Sequence, residues 1–406
     1  MSIHAPRHSL RLIRRPSPML DRRGVLGGSV ALASASLVSG CATAGSAVTT
    51  RRPGFRPSLP LAPMRAQADR ITGLTVCLRP FRAAGPRLEG ETVGDKLVIH
   101  NYGHGGSGWS LSWGYGLEAV RMALSGGARD IAVIGSGALG LTAATVAQRA
   151  GARVTIYAKE RIQETRSARA TGVWSPDSRI ALAGSVDAGF AARWETLARQ
   201  SFRMHQQFLG LADAPVEWTE RYILSDSPPS APSPDAMGFA HYGGRIRDLT
   251  PAVTPLAPSE HPFPTAYARR ASLPMFNITA YARTLVDEFL QAGGRFETVE
   301  FRSPAELATL SQTVIINCTG YGARALWKDE SIVPVRGQIA WLIPQPEVDY
   351  GVYYGGVGTV SRRDGLVVQN NGPDESYGYN DASETPDRAE AEAAVRTIAR
   401  LFTDTA

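Results

Sequence analysis

Cysteine is scarce: Cys41, Cys77 and Cys318 are the only three in 406 residues, which excludes a disulfide-stapled scaffold. No stretch of about 20 strongly apolar residues occurs, so nothing in the chain reads as a membrane-spanning helix. Charge is modest at 20% and unevenly spread. Residues 1–50 hold six arginines against Asp21 alone, a balance of +5, and the net charge of +6 leaves only +1 for everything after them. A basic stripe able to neutralise phosphates is therefore lacking, and a nucleic-acid partner is not expected. No internal repeat is visible. What remains is a chain with 43% hydrophobic residues, 41 glycines and 27 prolines, long enough for two domains or one large α/β unit.

The N-terminus has its own character. A basic stretch ends at Arg22-Arg23 and is followed by a short, mildly apolar run, 25–40, rich in Gly, Ala and Ser. This reads as an export signal, and the arginine pair resembles a twin-arginine signal. Two processing sites compete: Val38-Ser39-Gly40-Cys41 resembles a lipobox that would place a lipid anchor on Cys41, and Ala42-Thr43-Ala44 is an A-x-A cleavage site. A start at Met19 would make the signal more compact. The expected location is periplasmic or membrane-anchored, with a basic tail on a cytoplasmic protein as the alternative. Residues 1–44 are read as the signal and 45–68, Pro- and Arg-rich around Arg56, as a tether. Cys77 and Cys318 sit in apolar runs and read as buried thiols, with a single bridge between them left open.

The strongest local pattern lies at 130–160. An apolar strand, 131–134, leads into Gly135-Ser136-Gly137-Ala138-Leu139-Gly140, then an Ala-rich helix to Ala150 and a second strand, 153–157. In that strand–helix–strand context the glycines have separate roles: Gly135 for the tight turn, Gly137 for approach of backbone to a pyrophosphate, Gly140 for close helix–sheet packing. The helix N-terminus, with Ser136 and Leu139 beside it, offers N–H donors to phosphate, and Glu160, next to Lys159, can accept from ribose hydroxyls. The motif alone does not separate NAD from FAD. Further strands are predicted at 74–78, 97–100, 313–317 and 335–342, a hairpin at 350–368, and helices after Gly108, at 279–292 and at 386–402. Residues 225–264 read as proline-punctuated surface loops.

The stretch Val98-Ile99-His100-Asn101-Tyr102-Gly103-His104-Gly105-Gly106-Ser107-Gly108 continues to Trp113-Gly114. It resembles the flavin-proximal signature of D-amino-acid oxidases. Tyr157 to Glu160, Ala170-Thr171-Gly172-Val173-Trp174-Ser175-Pro176, Ile316-Asn317-Cys318-Thr319-Gly320 and Val335-Arg336-Gly337-Gln338-Ile339 are similar to other parts of that family. The order is cyclically shifted, because in the family the glycine-rich dinucleotide motif comes first. The resemblance therefore implies a circular permutation of residues 69–406: a flavin-proximal segment at 71–124, a dinucleotide unit at 130–180, and a substrate domain mainly at 181–310 and 335–385.

The resemblance implies an FAD-binding Rossmann-like α/β domain interleaved with an antiparallel-sheet substrate domain. It implies FAD held by Gly135, Ser136, Gly137, Leu139, Gly140, Glu160, Thr171, Gly172, Trp174, Gly103, Gly105, Gly108, Ser110 and Gly320. Arg79, in Leu78-Arg79-Pro80, matches the arginine that grips the substrate carboxylate, Gly106 the turn at the flavin, and Tyr353 the first of two site tyrosines. The second is replaced by Val357-Gly358, with Tyr354 a candidate substitute. Ser107 and Trp109 replace a Tyr and an aliphatic residue, and Trp109 reads either as pocket wall or as core. His100 and His104 are expected to be structural, and two histidines on a loop without an acidic ligand make no metal site. The implied reaction takes a substrate with an amine and a carboxylate to a 2-oxo acid and ammonia, with oxygen giving hydrogen peroxide. A dehydrogenase feeding a quinone and a non-catalytic flavin-binding lipoprotein are the alternatives.

Overall fold

The computed structural model describes residues 61–229 and 237–402. The Arg22-Arg23 pair, Cys41, the A-x-A site and Arg56 lie outside the described residues. Within them the strands are, in chain order, β1 (Ile71–Arg82), β2 (Arg87–Val93), β3 (Lys96–Tyr102), β4 (Asp130–Ile134), β5 (Arg153–Ala158), β6 (Val216–Ser225), β7 (Thr254–Leu256), β8 (Tyr267–Phe276), β9 (Arg295–Thr298), β10 (Val314–Asn317), β11 (Ile332–Leu342), β12 (Tyr350–Tyr354), β13 (Val357–Arg362) and β14 (Gly365–Asn370). The α-helices are α1 (Gly108–Leu124), α2 (Ala138–Arg149), α3 (Phe190–Gln206), α4 (Ile278–Gln291), α5 (Ala323–Leu326) and α6 (Arg388–Ala399).

Two sheets result. The smaller has the order β2-β3-β10-β4-β5-β9, parallel throughout except for the hairpin strand β2. Its central strands are apolar on both faces, as a sheet covered on both sides requires. Ile131, Val133, Ile156 and Ile316 face a core shared with α1, α2, α3 and α4, while Ala132, Ile134 and Ile315 face Leu307 and Leu310 on the opposite side. The larger sheet has the order β1-β11-β14-β13-β12-β6-β8-β7, and α6 packs on it through Val395 and Ile398.

The chain crosses between the two layers repeatedly. Within 181–310, β6, β7 and β8 join the large sheet, whereas α3, α4 and β9 pack with the small one. Residues 61–68 correct the tether expectation: Met64 and Ala66 are buried, and Tyr350 Oη donates to the Ala62 carbonyl at 2.7 Å. The apolar side chains of that segment outweigh its prolines. Cys77 and Cys318 are both free thiols, which settles the open pairing. No helix of the described residues is long and apolar enough to cross a membrane.

Candidate active site

In the small sheet a cleft opens at the C-terminal ends of the parallel strands, where open α/β sheets bind ligands. It begins at the turn after β4. Gly135 adopts φ +101°, and a Cβ there would stand 2.6 Å from the Cys318 carbonyl, so only glycine fits. A Cβ on Gly140 would overlap the Gly135 carbonyl, and its absence lets α2 start tight against β4. The first turn of α2 contains no acid, and Ser167 Oγ accepts from the Ala138 amide at 3.1 Å. Donors and positive helix dipole thus face an open space.

A cavity of about 450 Å³ runs from here between the sheets. Along it lie Gly135, Ser136, Gly137, Leu139, Glu160, Thr171, Gly172, Gly320, Gly103, Gly105, Gly106, Gly108, Ser110 and Arg79. Thus residues from six separate sequence stretches come together. Three expected residues do not line it. Gly140 is packing against β4; Trp174 is buried, edge-on to Phe202 and His205; Tyr353 borders a second cavity instead. Glu160 stands near Lys159 Nζ at 3.7 Å, and the same ammonium reaches Glu300.

The turn 103–107 is clamped from outside. Gly105 N donates to the Pro80 carbonyl at 2.9 Å, and Gly106 N and Ser107 Oγ both donate to the Ser178 carbonyl at 3.0 Å. Gly105, at φ +54°, has no room for a side chain because the Arg179 carbonyl lies against it. The bonds hold Arg79, the residue before Pro80, beside the turn. The Arg79 guanidinium donates one hydrogen bond, to the Arg336 carbonyl at 3.1 Å. Burial pulls its pKa down, with Cys77 and Glu375 opposing.

Of the two histidines, His100 is engaged on both ring nitrogens, one of them by an acid that the sequence did not place there, and His104 is buried with its Nε2 unpartnered among the described residues. His100 bridges Glu91 at 2.8 Å and the Asn317 amide at 3.0 Å. His104 is 2% exposed, edge-on to Tyr115, and burial pushes its pKa to about 3. Tyr354 donates to Asp226 at 2.7 Å and does not substitute for the missing tyrosine in the cavity. Trp109 proves to be both wall and core: it lines the cavity, stacks on Tyr281 and donates to the Ser167 carbonyl. Among the described residues no cluster of His, Cys, Asp and Glu could hold a metal.

Sequence reasoning missed Arg166, Ser167 and Arg169, which line the cavity near the α2 N-terminus, and Arg179, which borders the clamped turn. The signal for the first three was the basic run 161–169; nothing in the sequence marked Arg179. Two helix N-termini without first-turn acids, two arginines and backbone cradles with no space for Cβ atoms fit a dinucleotide with a second, larger ring at the Gly103–Gly106 turn.

Comparisons with known proteins agree. Relatives include the D-amino-acid oxidase of Streptomyces coelicolor, 30% identical over 213 residues, covering 52% of this chain and 58% of that protein. The D-amino-acid oxidase of Rubrobacter xylanophilus is also 30% identical over 213 residues, covering 51% and 57%. The chain thus spans less than two-thirds of the length of the curated relatives it matches. Among solved structures, L-proline dehydrogenase from P. horikoshii aligns with a TM-score of 0.47 at 12% identity, over 68% of this chain and 77% of that one. Residues 130–406 match the model of the FAD dependent oxidoreductase family, and the chain belongs to that family.

Proposed function

We propose that the protein oxidises a D-amino acid at its α-carbon, giving an imino acid that water converts to a 2-oxo acid and ammonia. The observation that carries this reading is Arg79. Its guanidinium borders the cavity beside the Gly103–Gly106 turn and gives one hydrogen bond to protein, to the Arg336 carbonyl, with Glu375 the acid whose field reaches it. Two parallel charge-assisted bonds to a substrate carboxylate would satisfy it and fix which face of the α-carbon points at the turn. FAD, when bound, supplies the acceptor for the hydride.

The chain's own part is to bind, orient and exclude water. Gly105 and Gly106 keep the turn bare so that a ring and a substrate can approach each other closely. Trp109 and the start of α1 wall off that end. No histidine is offered as a base: His104 stays neutral in its buried site, and both His100 nitrogens are engaged. The substrate amine therefore loses its proton to solvent before it reacts. Oxygen as the electron acceptor, with hydrogen peroxide as product, is part of the same proposal.

The test is to purify the full chain, record its visible spectrum, and titrate it anaerobically with D- and L-amino acids. Bleaching of the flavin band by D- but not L-isomers is expected. A yellow protein that no amino acid bleaches would overturn the reading.

A further inference from the structure

Behind the cavity wall lies a buried chain of polar aromatic groups that the oxidation of an amino acid does not use. We propose that Trp109, Tyr281 and His205 form a proton-coupled one-electron relay, which draws oxidising equivalents away from the flavin end of the site. The relay depends on the family's FAD and not on the choice of substrate.

Trp109 lines the cavity at the start of α1 and stacks on Tyr281, with ring centroids 5.3 Å and planes 29° apart. Stacking at this separation couples the two π-systems. Tyr281 stands on α4, and Trp113 Nε1 donates to its Oη at 2.7 Å. On the other side is His205 of α3. Its Nε2 faces the Ser110 carbonyl at 3.3 Å, and a carbonyl only accepts, so Nε2 carries the ring proton. Nδ1 is then the acceptor, and Tyr281 Oη donates to it at 2.9 Å. The phenol thus aims its one proton at a base with a lone pair ready for it.

As packing alone this arrangement is unfavourable. Tyr281 and His205 are both 0% exposed, and a Phe and a Leu would fill the space with no polar atom to satisfy. Burial drives the Tyr281 pKa far up and the His205 pKa down to about 3, so neither ionises by ordinary acid–base exchange. Oxidation changes this. A phenol that has lost an electron is a very strong acid, and its proton moves along one hydrogen bond to His205 Nδ1. The interior then holds a neutral tyrosyl and an imidazolium whose Nε2–H stays on the Ser110 carbonyl. Trp113 is no rival resting place for the charge, because the Arg149 guanidinium lies 5.3 Å over its ring and disfavours a second cation there.

In the working direction Tyr281 gives one electron, through Trp109, to a peroxide-derived hydroxyl radical in the cavity, which becomes hydroxide. The Tyr281 O–H bond breaks and its proton goes to His205. A thiolate later returns the electron, becoming a thiyl radical, and the proton passes back to Tyr281 Oη.

The experiment uses the full chain loaded with FAD, without oxygen or substrate. Light absorbed by the oxidised flavin serves as the one-electron oxidant. Transient absorption, and electron paramagnetic resonance of samples frozen under illumination, read the product. A neutral tyrosyl radical is expected in the parent. Tyr281→Phe should reduce that signal at least tenfold, and Trp109→Leu and His205→Gln at least fivefold each. Tyr321→Phe, at another tyrosine bordering the cavity, should leave it within twofold. A tyrosyl that survives Tyr281→Phe, or disappears in Tyr321→Phe, would overturn the proposal, as would a parent that forms none. If Tyr281→Phe does not hold FAD, the parent exchanged into deuterated water decides. Its tyrosyl should couple to two exchangeable deuterons, those on Trp113 Nε1 and His205 Nδ1, and fewer would overturn the assignment. Whether amino acids bleach the flavin bears on neither outcome.

Discussion

At the scale of single residues, Arg79 was legible because it stands in a motif, and Arg179 was not because only the fold makes it a neighbour. Its hundred-position separation in sequence is closed by two hydrogen bonds to the Ser178 carbonyl. Arg79→Ala should lower kcat/KM for the best D-amino acid at least about a hundredfold, equivalent to about 2.7 kcal/mol of transition-state stabilisation. FAD content should change little. Arg79→Lys should recover only part of the loss, since one ammonium cannot present two parallel donors. Steady-state kinetics with flavin absorbance checks both. The buried histidines make a different prediction. Burial holds His104 and His205 at about pKa 3, below the ordinary value of 6.5. Between those limits the unfolded chain binds protons that the folded chain refuses, so stability falls as pH drops through that window. Each histidine contributes up to about 1.4 kcal/mol per pH unit. Denaturant titrations from pH 7 to 5 should show this slope, and His104→Asn should reduce it.

At the scale of elements, the sequence was most readable where one residue pattern decides the structure. The apolar strand β4, the glycine turn and α2 form a unit whose limits match the expectation within two residues. Helix α3 was not foreseen, although Phe190, Trp194, Ala198, Phe202 and His205 all face inward. Its buried face includes Ser201 and His205, polar groups that become favourable only through Gly114 N and Tyr281 Oη. Strand β8 was hidden by Arg269, Arg270 and Pro274; its arginines point to solvent while Met275 and Phe276 are buried. The β4–α2 contact is also the easiest element to break. Gly140→Val should force α2 away from the Gly135 carbonyl, costing about 1–3 kcal/mol or more. Loss of bound FAD should accompany a lower denaturation midpoint, measured by absorbance and equilibrium unfolding.

At the scale of the whole molecule, the cyclic order is the main feature that sequence motifs suggested and that packing makes plausible in physical terms. Leu401 and Phe402, at the end of α6, share an apolar cluster with Met64, Ala66, Ile71 and Leu74, next to the start of β1. We propose that the chain is a circular permutation of its family's order, opened between α6 and β1. Moving residues 69–124 to follow residue 402, and starting at Arg129, should give a folded yellow protein with FAD affinity within about tenfold of the parent. A colourless product would count against the shifted order. That arrangement also has a history in time. During synthesis β1, the β2–β3 hairpin and the Gly103–Gly106 turn leave the ribosome before the partner strands β11 and β10 exist. His100 meets Asn317 only after 217 further residues, and Arg79 reaches the Arg336 carbonyl after 257. Loop closure over such distances is slow, and exposed strand edges wait unpaired meanwhile. The half of the site that touches substrate is thus made first and completed last, so a nascent chain stalled before residue 314 should remain protease-sensitive at its N-terminal end.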